Sequence, residues 1–229
     1  MYPLTATQRR SVIAKTRAQS VAHSSRDEFD PMVGPLKPLP TYILTLEDHL
    51  KQVAIRQRTV FVAGDIEQDT AKEVCLEIEA IRLQGTDPIR LIINSRGGDV
   101  SYGAQIIGAV SQLMRSGIEV TAEVRGDADS MAAIIACACS RIEMHRLSRL
   151  MFHGVSGLTW GDVQDHEAER QEMDRITDEL VEVVFARVKN PLSKFADRKY
   201  LRQILRDKRP VWLGPTEAVE AGIADSILN

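Results

Sequence analysis

Several features that mark specialised classes of protein are scarce or missing in this sequence of 229 residues. No segment approaches the roughly 18 consecutive apolar residues of a membrane-spanning helix, which excludes an integral helical membrane protein. Basic residues are in no excess, because 29 Lys and Arg stand against 32 Asp and Glu. A dedicated nucleic-acid-binding protein normally carries a basic surplus for its phosphate contacts, so no nucleic-acid partner is expected.

Cysteines and aromatic residues are also few. Cys75, Cys137 and Cys139 are odd in number and lie in apolar surroundings. They therefore predict buried thiols in a reducing compartment rather than a disulfide framework. Aromatic residues make up 5% of the chain, so the core relies on Ala, Ile and Val. A core of this size needs neither a metal ion nor disulfides to fold, and no metal site is predicted.

The composition that remains is that of a globular protein, with 44% hydrophobic and 27% charged residues. We predict an arm at residues 1–40 and one domain at 41–229. The arm has no acidic residue from Met1 to Arg26, and four prolines follow between Pro31 and Pro40. Its composition also fits an organelle transit peptide. We predict a cytoplasmic protein. If the arm is a targeting segment, the alternative is an organelle matrix or stroma.

Strand and helix patterns alternate from residue 58 onward. A capping box at Thr70–Glu73 predicts the start of a helix. Ile118–Val124 alternates apolar and polar residues with the period of a strand. The predicted order is strand 59–63, helix from 70, strand 89–93, turn 94–99, helix 104–114, strand 118–124, helix 131–139 and a strand to 152. Such alternation indicates parallel βαβ crossovers and a layered α/β core.

A long amphipathic helix is predicted across Gly161–Lys189, where apolar residues recur near helical spacing between acidic and basic ones. It is longer than a crossover between strands requires. The pattern leaves two interpretations open. The helix either projects and packs against another subunit, or it covers its own domain.

Three local features could together form an active site. Ser130 lies between an alternating strand and an Ala-rich helix, where backbone amides and the helix dipole suit a nucleophile that generates an oxyanion. Gly97 and Gly98 follow a strand and allow the backbone to approach a ligand closely. His153 ends an apolar strand and has the chemistry of a general base. Taken singly, these features also fit a helix N-cap, a turn and a structural histidine.

In this order the features resemble the proteolytic subunit of Clp protease, a serine peptidase with the ClpP/crotonase-like fold. The motifs that carry the resemblance are Asn94–Gly98, Gly126–Ala132, Met151–His153 and the closing segment Trp212–Asp225. The resemblance covers roughly Arg58 to Leu228. It implies a layered βαβ superhelical core with a projecting handle helix at about 158–190.

The resemblance also implies a mechanism and partners. Ser130 would be the nucleophile and His153 the general base, with the backbone amides of Gly97, Gly98 and Met131 as the oxyanion hole. Peptide or protein substrates would bind by β-addition. The subunits would assemble into rings, alone or with a paralogue, and an ATP-driven AAA+ unfoldase would deliver substrate. The peptidase itself would need no cofactor, since ATP is used only by the partner.

The third member of the triad is where the pattern departs from the family. When Trp212 is aligned with the family's aromatic residue, Pro210 falls where an aspartate is expected. Asp207, three residues earlier, is the candidate for this role, and Asp197 is a weaker one. Without an orienting acid a triad histidine loses control of its tautomer, which can cost about 10⁴ in rate.

Two further departures lie beside the site. Arg96 replaces the family's usual proline, and Asp129 places a carboxylate next to the nucleophile where the family favours small residues.

Other functions remain open at this point. The poor match of the acid allows a structural or regulatory ring subunit without useful activity. A phage maturation peptidase is another alternative, as is a signal-peptide-peptidase-like enzyme with a serine–lysine dyad. No lysine occurs between Glu73 and Val188, which disfavours the dyad. A crotonase-fold enzyme acting on acyl thioesters would have no role for a serine and histidine in this order.

Overall fold

A seven-stranded sheet organises the part of the chain that the computed structural model describes, residues 45–155 and 163–229. Strands β1, β2, β3, β4 and β7 lie side by side in that order and run parallel, while β5 continues beside β3 and β6 pairs antiparallel with β5. The strands are Thr59–Ile66 (β1), Ile89–Gly98 (β2), Val120–Asp129 (β3), Arg141–His145 (β4), Arg149–Phe152 (β5), Val211–Leu213 (β6) and Ser226–Leu228 (β7). The predicted arm at 1–40 lies outside the described residues.

Helices connect the parallel strands, as crossover connections require. They are Leu46–Arg56 (α1), Gln68–Arg82 (α2), Val100–Arg115 (α3), Met131–Cys137 (α4), Val163–Arg187 (α5), Arg198–Ile204 (α6) and Pro215–Glu220 (α7), with a 3₁₀ turn at Lys194–Ala196. The predicted α/β core is confirmed. No helix of the described residues is long and apolar enough to cross a membrane.

The structure corrects several predicted boundaries. The predicted capping box at Thr70 is wrong, because α2 begins earlier, at Gln68, and the Thr70 hydroxyl donates to the carbonyl of Asp65 at 2.8 Å. The residues predicted as a turn after 93 instead prolong β2 through Gly98, since Asp65 and Ile66 of β1 pair with Gly97 and Gly98. The glycine pair is thus part of the sheet.

Helix α1 is an element that the sequence reasoning missed. It carries a capping box, in which the Thr45 hydroxyl accepts from the amide of Asp48 at 3.1 Å and the Asp48 carboxylate accepts from the amide of Thr45 at 2.8 Å. This box was the available signal in the sequence. None of the helix residues is buried, so apolar periodicity toward a core gives little indication of it.

The core behind the sheet is built from small and aliphatic side chains. All seven residues of α4 are buried, among them three alanines. Cys137 and Cys139 are free and buried, as predicted, and burial raises the pKa of each thiol to about 12. Cys75 is also free but only half-buried. Small side chains let α4 approach the sheet closely and hold its first turn in place.

Helix α5 divides into two parts of different character. Its last turns bury Leu180, Val181 and Val184 against the core. Nearer its start, Arg170 and Glu167 are exposed and paired with each other at 2.7 Å. The helix is therefore anchored at its C-terminal end. The helix predicted across 161–189 corresponds to α5, whereas the handle at about 158–190 stays a prediction, and residues 158–162 lie outside the described residues.

Candidate active site

Ser130 occupies a sharp turn between β3 and α4. Its backbone has φ +54° and ψ −123°, a left-handed conformation that is costly for a residue with a Cβ. The turn is held because the Ser130 amide donates to the carbonyl of Met151 in β5 at 2.7 Å. The hydroxyl makes no helix-capping hydrogen bond, so the N-cap explanation fails for this residue. A strained turn from strand to helix is the usual means of presenting a nucleophilic serine.

The two glycines of β2 approach neighbouring backbone more closely than any other residue type could. A Cβ at Gly97 would lie 2.6 Å from the carbonyl oxygen of Asp129 and 2.8 Å from the Cβ of Ser130. A Cβ at Gly98 would lie 2.4 Å from the carbonyl oxygen of Ile66. Both glycines also have positive φ, +91° and +152°. Gly97 therefore lets β2 pack directly against the backbone of the nucleophile turn, and Gly98 lets it pack closely against β1.

Backbone amides beside Ser130 are available to bind an anionic oxygen. Met131 is the first residue of α4, and an amide at this position has no partner within its own helix. Among residues 45–155 and 163–229 no acceptor lies within bonding distance of it. The amide of Gly97 already donates to the Ser95 hydroxyl at 3.1 Å. Of the predicted oxyanion-hole residues, Met131 thus has an available amide and Gly97 contributes its close approach, while the role of Gly98 stays a prediction.

His153 lies immediately after β5 and lines the same pocket as Ser130. Its Nδ1 is 2.6 Å from the carbonyl oxygen of Gly154. Because a carbonyl can only accept, Nδ1 carries the proton and Nε2 is left as the acceptor. This is the tautomer that a general base needs. In the described residues no hydrogen bond joins the hydroxyl of Ser130 to the imidazole.

Asp207 reaches the neighbourhood of His153 with its backbone but not with its carboxylate. Its carbonyl accepts from the amide of Gly154 at 2.7 Å. Its carboxylate accepts from the amide of Arg209 at 3.0 Å and from the guanidinium of Arg209 at 3.1 Å. These bonds hold the pKa of the Asp207 carboxyl below its usual value. Its predicted place in a triad stays a prediction.

Asp197, the weaker candidate, has a structural task. It is the N-cap of α6, where its carboxylate accepts from the amide of Lys199 at 2.9 Å. A carboxylate bound in this way stabilises the helix start. Between the two aspartates, only Asp207 contacts the segment that carries His153.

The pocket that contains these groups is small and has an apolar wall. It measures about 60 Å³. Its lining comprises Gly98, Val100, Ser130, Met131, Ile134, Phe152, His153, Val155, Leu180 and Leu205. No lysine is among them, so the described residues place no partner for a serine–lysine dyad. No group of three metal-ligating side chains converges anywhere in the described ranges.

Comparisons with known proteins identify the family of the chain. The family model described as Clp protease matches residues 46–229. ATP-dependent Clp protease proteolytic subunit 2 of Pseudomonas aeruginosa is 28% identical over 183 residues, covering 78% of this chain and 85% of the relative. Subunit 3 of Rhodococcus jostii is 27% identical over 192 residues, covering 81% and 88%.

A solved structure matches the fold. ClpP1 N165D mutant from Listeria monocytogenes superposes with a TM-score of 0.67 and 24% identity, covering 79% of this chain and 96% of that one.

Proposed function

The chain belongs to the Clp protease family, and from this premise we propose that it is a serine peptidase subunit that cleaves extended polypeptides through an acyl-enzyme. One observation carries the proposal. The hydroxyl of Ser130, in its strained turn, shares a pocket with His153 beside the unbonded amide of Met131. Nucleophile, base and oxyanion donor are the three groups that acyl transfer requires.

The mechanism follows from the tautomer of His153. The Nε2 atom accepts the proton of the Ser130 hydroxyl as the oxygen attacks the peptide carbonyl. The amides of Met131 and Gly98 donate to the oxyanion that forms. His153 then returns the proton to the leaving amine, and a water molecule attacks the acyl-enzyme by the same route.

Two groups share the orienting role in this proposal. The carbonyl of Gly154 holds Nδ1–H in the structure described, at 2.6 Å. Asp207 supplies the third member of the triad once its carboxylate leaves Arg209, since its backbone already lies against Gly154. A carboxylate stabilises the imidazolium more than a neutral carbonyl does, because its charge is opposite.

The wider setting extends the same proposal. The relatives are named ATP-dependent, which supports an ATP-driven unfoldase as the partner. We propose that the chain assembles into rings, alone or with a paralogue, through surfaces that include the largely exposed residues 167–175 of α5. An extended substrate would pair with strand edges beside the pocket. The location proposed for the protein is the cytoplasm.

Labelling with a fluorophosphonate probe tests the proposal. The assembled wild-type protein should be labelled on Ser130, and Ser130→Ala should abolish labelling. His153→Ala should slow the reaction by roughly 10³-fold or more, because the proton acceptor is lost. His49→Ala is the matched control, since His49 is exposed on α1 and should leave the rate unchanged. No labelling of the assembled wild type with an unfoldase present would contradict the proposal and favour a ring subunit without activity.

A further inference from the structure

Arg149 connects the strands on both sides of the candidate active site. The guanidinium lies 3.6 Å from the carboxylate of Asp129, the last residue of β3. It also stacks on the ring of Trp212 in β6, 4.4 Å from the ring centroid. Arg149 itself begins β5, the strand that leads to His153. We call Asp129, Arg149 and Trp212 the Arg149 clamp.

The clamp lies next to Ser130 and to the strand that leads to His153. Asp129 directly precedes Ser130, and its carbonyl oxygen packs against Gly97. Asp129 lies opposite Met151 in the sheet, the residue that accepts the hydrogen bond from the amide of Ser130. Trp212 follows the turn that contains Asp207, and it also pairs with Met151, from the other side. The three strands therefore meet beside the catalytic turn.

A carboxylate at position 129 is energetically unfavourable. It is 4% exposed, and its Oδ1 has no hydrogen-bond partner among the described residues. Three charged groups face it, namely Asp127 on β3, Arg149 on β5 and Arg96 on β2. Burial, and after it the charge of Asp127, raises the pKa of the Asp129 carboxyl despite the two arginines. Fold stability therefore does not explain the residue.

Arg149 has another partner that would satisfy it without Asp129. Its guanidinium donates to the carboxylate of Asp127 at 3.0 Å, a shorter contact at a more exposed position. The arginine does not need this buried carboxylate as a partner, and a role in placing the adjacent Ser130 would account for its cost. Strained or costly groups cluster at functional sites, where they hold a geometry that the local chain would not adopt.

We propose that Asp129 is a positioning residue, which acts through Arg149 and Trp212 to hold the Ser130 turn in register with the strand of His153. The inference deepens the proposed serine peptidase function and rests on it. The clamp residues would not touch the substrate. They would act by fixing the backbone of β3 and β5, which carry Ser130 and His153 at their ends. A displacement of the reacting groups by about 1 Å can cost 10²-fold in rate.

The test compares fluorophosphonate labelling of Ser130 with thermal stability in Asp129→Asn. We expect labelling to slow about tenfold or more while Tm rises by about 2 °C or more, since a buried charge is removed. Neutralising a residue with a purely structural role would lower both quantities together. Asp127→Asn is the control, because it keeps the buried pair, and its labelling rate should stay within about threefold of wild type. Labelling of Asp129→Asn at the wild-type rate would overturn the inference.

A double mutant tests whether the clamp acts as one unit. Arg149→Met should slow labelling, and adding Asp129→Asn should cause little further loss, since residues in one network are not additive. Effects that multiply would contradict a shared role. Amide hydrogen exchange supplies a readout that needs no activity, and Asp129→Asn should speed exchange at residues 130–133 and 151–153. An unlabelled wild type would overturn the proposed function, and the exchange comparison would still decide whether the clamp holds these strands.

Discussion

The nucleophile side and the histidine–acid side of the site are built in different ways. On the nucleophile side, backbone packs on backbone, since Gly97 abuts Ser130 and every residue of α4 is buried. On the other side, surface contacts decide the arrangement, because the Asp207 carboxylate is bound to the amide and the guanidinium of Arg209. The first side is fixed by close packing, whereas the second depends on one side-chain rotamer. The proposed oxyanion site is therefore organised in advance, and the proposed contact between the Asp207 carboxylate and His153 is not.

Closing the space at Gly97 should produce the largest effect. In Gly97→Ala the added Cβ would lie 2.6 Å from the carbonyl oxygen of Asp129. The substitution also places a side chain at a position whose φ is positive. We expect labelling of Ser130 to slow by about 10²-fold or more, since the turn must shift. Backbone strain should cost about 1–3 kcal/mol of unfolding free energy, measured by denaturant titration.

Gly108→Ala is the matched control for this substitution. Gly108 lies within α3 with nothing inside 4 Å of an added Cβ, so alanine should stabilise the helix by about 0.5–1 kcal/mol. Its labelling rate should equal that of the wild type. If Gly97→Ala were labelled equally fast, the nucleophile side would not be the rigid half.

Weakening the contacts that hold the Asp207 carboxylate should have an intermediate effect, and it should raise kcat instead of lowering activity. Arg209→Gln removes the guanidinium from Asp207, while the backbone amide of residue 209 still donates to the carboxylate, so we expect kcat for peptide hydrolysis to rise by less than about tenfold as a triad forms more often. Asp207→Asn alone should lower kcat less than tenfold, because the Gly154 carbonyl already fixes the tautomer of His153.

The double variant Arg209→Gln, Asp207→Asn separates release of the acid from a general effect of charge. It should lose the gain seen in Arg209→Gln. A gain that persists without Asp207 would assign the effect to Arg209 itself, and the acid would have no part in the relay.

Thiol labelling should show the smallest change and reports on the rigidity of the nucleophile side. Burial raises the pKa of Cys137 and Cys139 to about 12, so neither thiol forms much thiolate at pH 8. Both should stay unmodified by iodoacetamide in the native protein, while half-buried Cys75 reacts slowly. Mass spectrometry of digested samples measures this. Rapid modification of Cys137 would show that α4 opens and that the nucleophile side is not rigid.

Much of the fold could be predicted because local patterns of apolar and polar residues specify its strands and helices. The alternation of Ile118–Val124 and the small apolar helix after Ser130 led directly to β3 and α4. The same patterns failed where tertiary contacts decide. The extension of β2 through Gly98 depends on pairing with β1, and glycines by themselves indicate a turn. Helix α1 buries no residue, so its apolar pattern carried little information.

The sequence by itself determined the family and the chemical types at the site, a serine before a small-residue helix, a glycine pair and a histidine that ends a strand. Only the tertiary structure decided which atoms are available. In the folded chain the amide of Gly97 donates to the Ser95 hydroxyl, and the carboxylate of Asp207 accepts from Arg209. Arg149 lies between Asp129 and Trp212. The physical reason is that residue type and spacing specify local conformation, whereas hydrogen-bond partners are assigned among groups that are distant in the chain or turned by a rotamer.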